Sequence, residues 1–388
     1  MTMSETTPLL KCLDTNFKSE KEEKGEHPLL TFQKGNLFGV QDTQDDKVLK
    51  YSMSRLGSWW ALLYYKDTFF VDKELWKIVS VHVVICIVMC VTVRLNFLTG
   101  FHLGKIASDK NLDSLSNITS CISVVVGFLL GMFVSGSVSR WWDMRNGCLG
   151  GLWGAVDDLT LILSAHMPNK RDRAAKENVL RLSLLSVRLL FAQAQEKESS
   201  EDLQQIVDRG LMTPEEKEAL LGMPSKPQVV WVWIAQTLHE LADAGKIKYK
   251  EVMMPKLDML CAGARGSIGG AFAYTDTQVP FNYVHLLVVS VFLSNITLSM
   301  KCGLIMGKEF FHKSGDESYY VAFAQLLQVI IVPFVYSAFL KINEQLESPF
   351  GNDPMDFPAL SYHVYMRDEC HAFIRSGENM PKSVLEKV

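Results

Sequence analysis

Apolar residues along the 388-residue chain gather into four runs. Ile78–Val93 reads IVSVHVVICIVMCVTV between Lys77 and Arg94, and Ser114–Ser139 holds no charged residue, with VVVGFLLGMFV at its centre. Val279–Met300 is again free of charge, and Tyr319–Leu340 forms the fourth run. A bilayer core of about 30 Å takes roughly 20 helical residues, which the last three runs supply and the first supplies if its polar ends snorkel. Buried helices of a large soluble protein are the competing explanation. Four runs that exclude charge favour membrane spans.

Between the two pairs of runs lies a polar-rich block, Arg140–Tyr274, whose patterns are helical. Asn169–Gln195 carries charges early and an apolar stripe later. Thr213-Pro214-Glu215-Glu216 reads as a capping box with proline at the first helical position. Val230–Ala244 and Lys248–Ala262 read as amphipathic helices, the second expected to kink or break at Pro255. No strand alternation is sustained. The expected fold is therefore all-α: a multi-pass membrane protein with four transmembrane helices per subunit and a helical cytosolic domain. The expected divisions are an amino-terminal segment (1–50, largely flexible), a first helix pair (51–139), a helical block (140–274), a second pair (275–342), a loop (343–357) and a carboxy-terminal segment (358–388).

Composition adjusts this picture in three places. A 48% hydrophobic chain is too apolar for intrinsic disorder, and 39 Lys+Arg against 43 Asp+Glu leaves no basic excess for nucleic acid. A mean hydropathy of only +0.10 fits a chain that mixes spans with aqueous helices. The eight cysteines (Cys12, Cys86, Cys90, Cys121, Cys148, Cys261, Cys302 and Cys370) form no Cys-x-x-Cys pair, so structural thiols are expected rather than disulfides or zinc. Lys18–His27 is a charge run expected to be disordered, and no secretory or transit signal precedes it. Glu5-Thr6-Thr7-Pro8-Leu9-Leu10 matches an acidic dileucine pattern, which would imply endolysosomal routing. Four spans put both termini and the middle block on one side, and Lys73, Lys77, Arg140 and Lys341 mark that side as the cytosol. Asn117-Ile118-Thr119 is then a luminal sequon close to the membrane.

In the second run Val124, Phe128 and Met132 recur every four residues and form one helical stripe, flanked by Gly127, Gly131 and Ser135. Simple helix packing is one reading of it. The other makes the glycine face a contact between helices and the Val/Phe/Met face the wall of a pore, since apolar rings can gate ions by dewetting. Helix amino termini and the positive edge of a phenyl ring would favour an anion there.

Here the residues resemble the bestrophin family. GFLLGMFVSGSVSRWWDMRN (Gly127–Asn146) is similar to its signature, and further matches follow in order. They are GSWWALLY (Gly57–Tyr64), GLMTPEE (Gly210–Glu216), WVW (Trp231–Trp233), the Tyr274, Pro280 and Tyr283 spacing, and EQLESPFGNDPMDF (Glu344–Phe357). The resemblance implies a homopentameric, calcium-regulated anion channel with one central pore. It maps the hydrophobic neck onto Val124, Phe128 and Met132 and the narrow cytosolic aperture onto Val252. The family's usual neck is an Ile and two Phe, with a proline beside the first; Val124, Met132 and Val125 depart from that, which implies a wider or less strictly dewetted neck.

Ser348–Phe357 needs its own chemistry. Calcium takes six to eight oxygens at about 2.3–2.6 Å. Two aspartates three apart in a Pro/Gly-punctuated loop can converge on one ion, although such a loop is also an ordinary polar turn. The resemblance implies calcium: it assigns side-chain ligands to Asp353 and Asp356, backbone oxygens to Gln345 and Ser348, and a further carbonyl near Val40–Asp42. Asn352, Pro354 and Met355 replace acids of animal members, which predicts weaker calcium affinity.

The expected function is a calcium-gated channel in a lipid bilayer that conducts chloride, or else bicarbonate or another small anion. An enzyme is not expected, because only His82 and His285 are ionisable within the runs. A cation-conducting relative and a non-conducting scaffold compete with the anion channel. The plasma membrane is the expected location, with an endolysosomal membrane as the second choice. With the chain ending at Val388, inhibition by a long distal tail is not expected.

Overall fold

Asp72 starts the first membrane helix: its carboxylate accepts from the Glu74 backbone N–H at 2.9 Å, just before α1 (Lys73–Thr99). The computed structural model describes residues 38–42, 47–51, 65, 68–99, 109–312, 316–351, 353 and 355–385. Among them the chain is nearly all helical. α2 (Asp109–Asp143) carries the second apolar run and does not stop where the polar block begins. A π-helical segment, Met144–Leu149, joins it directly to α3 (Gly150–His166). There follow α4 (Arg173–Ala194), α5 (Ser200–Asp208), α6 (Pro214–Leu220), α7 (Lys226–Asp243) and α8 (Lys250–Asp276). The second pair of runs forms α9 (Phe281–His312) and α10 (Asp316–Glu347), and α11 (Ala359–Glu378) and α12 (Lys382–Leu385) complete the order. Four stretches are long and apolar enough to cross a membrane: Lys73–Val93, Lys110–His166, Phe281–Glu309 and Tyr319–Glu347.

Two local expectations met a different outcome. Phe38–Asp42 and Lys47–Tyr51 form an antiparallel hairpin, with Phe38 opposite Tyr51 and Asp42 opposite Lys47. Five-residue strands are too short to show a sustained alternation, yet Phe38, Val40, Val48 and Tyr51 all favour extended backbone. The expected carbonyl near Val40–Asp42 falls in the first of these strands. Further on, α8 runs unbroken through Pro255 and continues to Asp276. Pro255 can donate no bond to the Glu251 carbonyl, but both residues are exposed in the first two turns, where water serves instead. Beyond it, the glycines of CAGARGSIGG are held helical by packing, since Ala264, Ile268 and Ala271 are wholly buried. The dileucine pattern, the Lys18–His27 charge run and the Gly57–Tyr64 match lie outside the described residues.

The chain divides into two units. The membrane unit holds α1, α9, α10 and the part of α2 before Arg140. Its helices α1 and α9 run parallel and close: a Cβ on Gly303 would collide with the Cys86 carbonyl oxygen and lie 2.7 Å from the Met89 Cβ. One turn on, a Cβ on Gly307 would lie 2.8 Å from the Val93 Cβ. α2 runs antiparallel to α9, packing Val126 and Leu130 against Leu287 and Val291. Tyr336 of α10 donates to the Ser123 carbonyl at 3.3 Å, and Lys341 pairs with Asp72 at 2.8 Å.

The polar unit is built from the hairpin of Phe38–Asp42 and Lys47–Tyr51, from Arg140–Thr277 and from the described residues from Ser348 onward. Its core joins α3, α4, α7, α8 and α11 through Leu159, Leu185, Trp231, Ile234, Leu257 and Ile374, each almost fully buried. The Thr213–Glu216 capping box is present, with Glu216 N–H donating to Thr213 Oγ1 at 3.1 Å and Thr213 N–H to Glu216 Oε2 at 2.9 Å. A second box at Ser199–Asp202 starts α5. Lys176 and Glu378, each almost wholly buried, pair at 3.0 Å and tie α11 to α4.

Candidate pore helix and calcium loop

Val124, Phe128 and Met132 lie along one face of α2 and are 73%, 66% and 55% exposed, although the helix is a membrane span. The opposite face is filled, since Val126 and Leu130 are buried against α9. With Gly127, Gly131, Ser135 and Gly136, Phe128 and Met132 line an open groove of about 570 Å³. Among the described residues nothing comes within 4 Å of where a Cβ on Gly127 or Gly131 would be. The close helix contact expected at these glycines is therefore not made by the described residues of the subunit itself. It occurs instead at Gly303 and Gly307, whose i, i+4 spacing was the available signal.

Val252 occupies the first turn of α8 and is 58% exposed. Met259, seven residues on, is exposed on the same face. The helix begins after Tyr249, which is in the left-handed region at φ 58°, and Lys250 is paired with Asp243. Val252 thus stands at the positive end of a long helix, near two lysines, Lys248 and Lys250.

In the loop after α10, Asp353 and Asp356 are brought together. The Asp353 backbone N–H donates to Asp356 Oδ2 at 2.7 Å, and the Asp356 N–H donates to the Asp353 carbonyl at 3.0 Å. Asp353 is exposed and Asp356 half-buried. Burial, and then the neighbouring Asp353 charge, push the Asp356 carboxyl up to about 6. A carboxylate pair that the fold holds together against this cost has the donor chemistry of a hard cation such as calcium. A Cβ at position 351 would lie 2.5 Å from Asp356 Oδ2, so a side chain there would push the Asp356 carboxylate from its place on the Asp353 N–H. Ser348 opens the loop and is exposed, while Gln345 lies in the last turn of α10. Among the described residues no group of three or more His, Cys, Asp or Glu side chains converges as a metal centre. A calcium site here would use two carboxylates and backbone oxygens.

Residues outside the sequence pattern hold this loop in place. Gln195, at the end of α4, donates from Nε2 to the Phe350 carbonyl at 2.5 Å and toward that of Gly351 at 3.4 Å. Phe350 and Phe357 are both buried in the core, and the Phe357 N–H closes the loop onto the Pro349 carbonyl at 2.7 Å. The Phe357 ring lies 5.0 Å from that of Trp141 in α2. The two phenylalanines flanking a Gly/Asp/Pro stretch were the visible signal for the anchors; nothing local pointed to Gln195.

The family model described as Bestrophin, RFP-TM, chloride channel matches residues 58–361. The chain belongs to the bestrophin family. It is 26% identical to human Bestrophin-2a over 246 residues, covering 60% of this chain and 45% of that protein. It is 26% identical to pig Bestrophin-1 over 250 residues, covering 60% and 40%, and 24% identical to Bestrophin homolog 5 of Caenorhabditis elegans over 244 residues, covering 60% and 50%. The chain thus spans about half or less of the length of these curated relatives. Among solved structures, a Klebsiella pneumoniae bacterial bestrophin homologue carrying a point mutation superposes with a TM-score of 0.62 at 18% identity, over 78% of this chain and all of that one. A structure of the same homologue phased with zinc gives 0.57 at 18%, over 77% and 97%. The bestrophin fold is therefore shared, and the protein is a membrane protein of a family of channels rather than enzymes.

Proposed function

We propose that this bestrophin is a calcium-gated anion channel, assembled as a homopentamer around one central pore with an apolar neck, that conducts chloride, with bicarbonate as the alternative anion. The observation that carries the reading is the exposed stripe of Val124, Phe128 and Met132 on a membrane helix whose other face is packed. Five copies of such a stripe around an axis make an apolar constriction of the kind that gates by dewetting. Val124 and Met132 make this neck less tightly closed than three bulky rings would. The neck has no fixed charge, so anion preference rests on the edge of the Phe128 ring, on the α8 amino terminus beside Val252, and on Lys248. Asp353 and Asp356, with carbonyls of Ser348 and Gln345, would hold calcium on the cytosolic side. The plasma membrane is the proposed location.

Planar-bilayer recording of the purified protein in a tenfold chloride gradient tests the anion reading. A reversal potential near the chloride equilibrium value at micromolar calcium is expected. A potential near the cation value indicates a cation channel, and a silent, correctly assembled oligomer indicates a scaffold; either outcome overturns the proposal. For calcium, the double variant Asp353→Ala/Asp356→Ala is expected to lose binding by at least ~100-fold, because both charged ligands are gone. Equilibrium calcium titration checks this, and sub-micromolar affinity that survives in the double variant refutes the site.

A further inference from the structure

Asp356 and Phe357 are neighbours in sequence but face different tasks. The Asp356 carboxylate is turned onto the Asp353 N–H, while the Phe357 ring presses on Trp141. The two ends of the loop are anchored differently. Phe350 is fixed to α4 by ring contact with Phe191, 5.3 Å between centroids, and by the Gln195 amide on its carbonyl. Phe357 touches Phe350 at 5.5 Å and Trp141 at 5.0 Å, so this second end bears on α2. Trp141 stands on the same helix as Met132, nine residues further along, immediately after Arg140. Arg140 itself donates to the Tyr274 carbonyl near the end of α8.

We propose that Trp141 is the positioning residue through which the loop acts on the pore helix, because Phe357, next to the ligand Asp356, is packed directly against its indole ring. This rests on the calcium-gating reading above and adds the route by which occupancy reaches α2. A cation that takes both carboxylates competes with the bond between Asp356 and the Asp353 N–H, so binding reorients the residue attached to Phe357. Phe350 cannot follow, being held by α4, and the displacement falls on the Phe357–Trp141 contact. Close-packed aromatic contacts respond by changing arrangement rather than by compressing. A second observation fits a residue with two arrangements: the buried Trp141 indole N–H has no acceptor among the described residues. An unpaired buried donor is a cost that an alternative position can relieve.

The test uses the full-length assembled channel and measures two quantities for each variant: calcium binding by equilibrium titration, and the ratio of chloride current at saturating calcium to that without it. In Trp141→Leu, calcium is expected to bind still, while the current ratio falls by about tenfold or more. Phe357→Leu is expected to do the same, and the double variant to lose no more than either single one, since both remove one contact. Trp141→Phe, which keeps an aromatic ring against Phe357, is expected to retain most of the ratio. A purely structural role would lower yield and binding together and would not separate these readouts. The proposal is overturned if Trp141→Leu binds calcium and opens as the wild type does, or if the losses of the two single variants add. Should Trp141→Leu fail to assemble, Phe357→Leu decides by the same criteria. Wild-type protein that binds no calcium would defeat the calcium reading itself, which is a different result.

Discussion

Gly303→Val is expected to abolish assembly of the membrane unit. α1 and α9 approach so closely that a Cβ at position 303 would collide with the Cys86 carbonyl oxygen, which belongs to helix backbone and cannot swing aside as a side chain can. It would also lie 2.7 Å from the Met89 Cβ and 3.1 Å from the Cys86 carbonyl carbon. Valine adds two further carbons to that clash. Overpacking a filled site costs about 1–3 kcal/mol, and more where backbone must move. In a bilayer no hydrophobic force compensates, because lipid tails solvate separated helices as well as helices solvate each other. Forcing these two helices apart also opens the buried cluster of Cys86, Leu298, Cys302 and Val329. Size-exclusion profiles and melting temperatures of the detergent-extracted protein check this. Gly303→Ala should assemble with a lowered melting temperature, and Gly303→Val should lose most of the oligomer peak. A Gly303→Val protein that assembles and melts like wild type would show that the contact is dispensable.

Arg181→Met is expected to destabilise the polar unit by roughly 3–5 kcal/mol, the usual cost of leaving a buried charge unpaired. Arg181 is 7% exposed and grips Glu216 with both terminal nitrogens, at 2.9 and 2.7 Å, while also donating to the Leu211 carbonyl at 2.9 Å. It thereby fixes α6 and the turn before it onto α4. Burial by itself raises the Glu216 carboxyl, but the hydrogen bonds from Arg181 and Thr213 outweigh it and hold the group below the usual glutamate range. A carboxylate depressed by folding contributes stability that is present above its unfolded pKa and is lost as pH falls through the folded value. Wild-type stability should therefore drop in acid below about pH 4, the unfolded glutamate range. Glu216→Gln keeps a capping-box residue and removes the titration, so its acid limb should be flatter while its stability at pH 7 is lower. Arg181→Met/Glu216→Gln should recover part of the loss of Arg181→Met, because no charge is left unpaired. Thermal melts from pH 3 to 8 read all three, and equal melting of Arg181→Met and wild type at pH 7 would remove the ion pair from the account.

Helix α2 shows how far one-dimensional pattern reaches. The exposure of Val124, Phe128 and Met132 follows from their spacing on a span, because a helix has a fixed period and each stripe faces one way. The neighbouring Gly127 and Gly131 follow the same rule, yet no helix among the described residues covers them. Small residues permit close approach without causing it. At Gly303 and Gly307 the same residue type is enclosed, and only the placement of α1 distinguishes the two cases. The acidic loop divides in a similar way. Asp353 and Asp356 are three apart in a turn-forming stretch, so their proximity is local. Gln195 lies 155 residues from Phe350, and Trp141 reaches Phe357 across an even longer stretch of chain, so neither contact leaves a trace in local pattern.

By itself the sequence determined that four apolar helices are long enough to cross a membrane, that the block between them is helical, and which residues form the exposed stripe of α2 and the acidic pair of the loop. These depend on local quantities: hydropathy summed over a span, the period of a helix and the conformational preferences of Pro, Gly and capping residues. Tertiary structure alone decided that α2 continues through a π segment into α3, that α8 survives Pro255, and that α1 and α9 touch at two glycines. It also decided that the loop of Asp353 and Asp356 is held between Gln195 and Trp141. Those outcomes depend on which distant surfaces meet, and packing energy between them exceeds the propensity of any one residue to bend, break or stay apart.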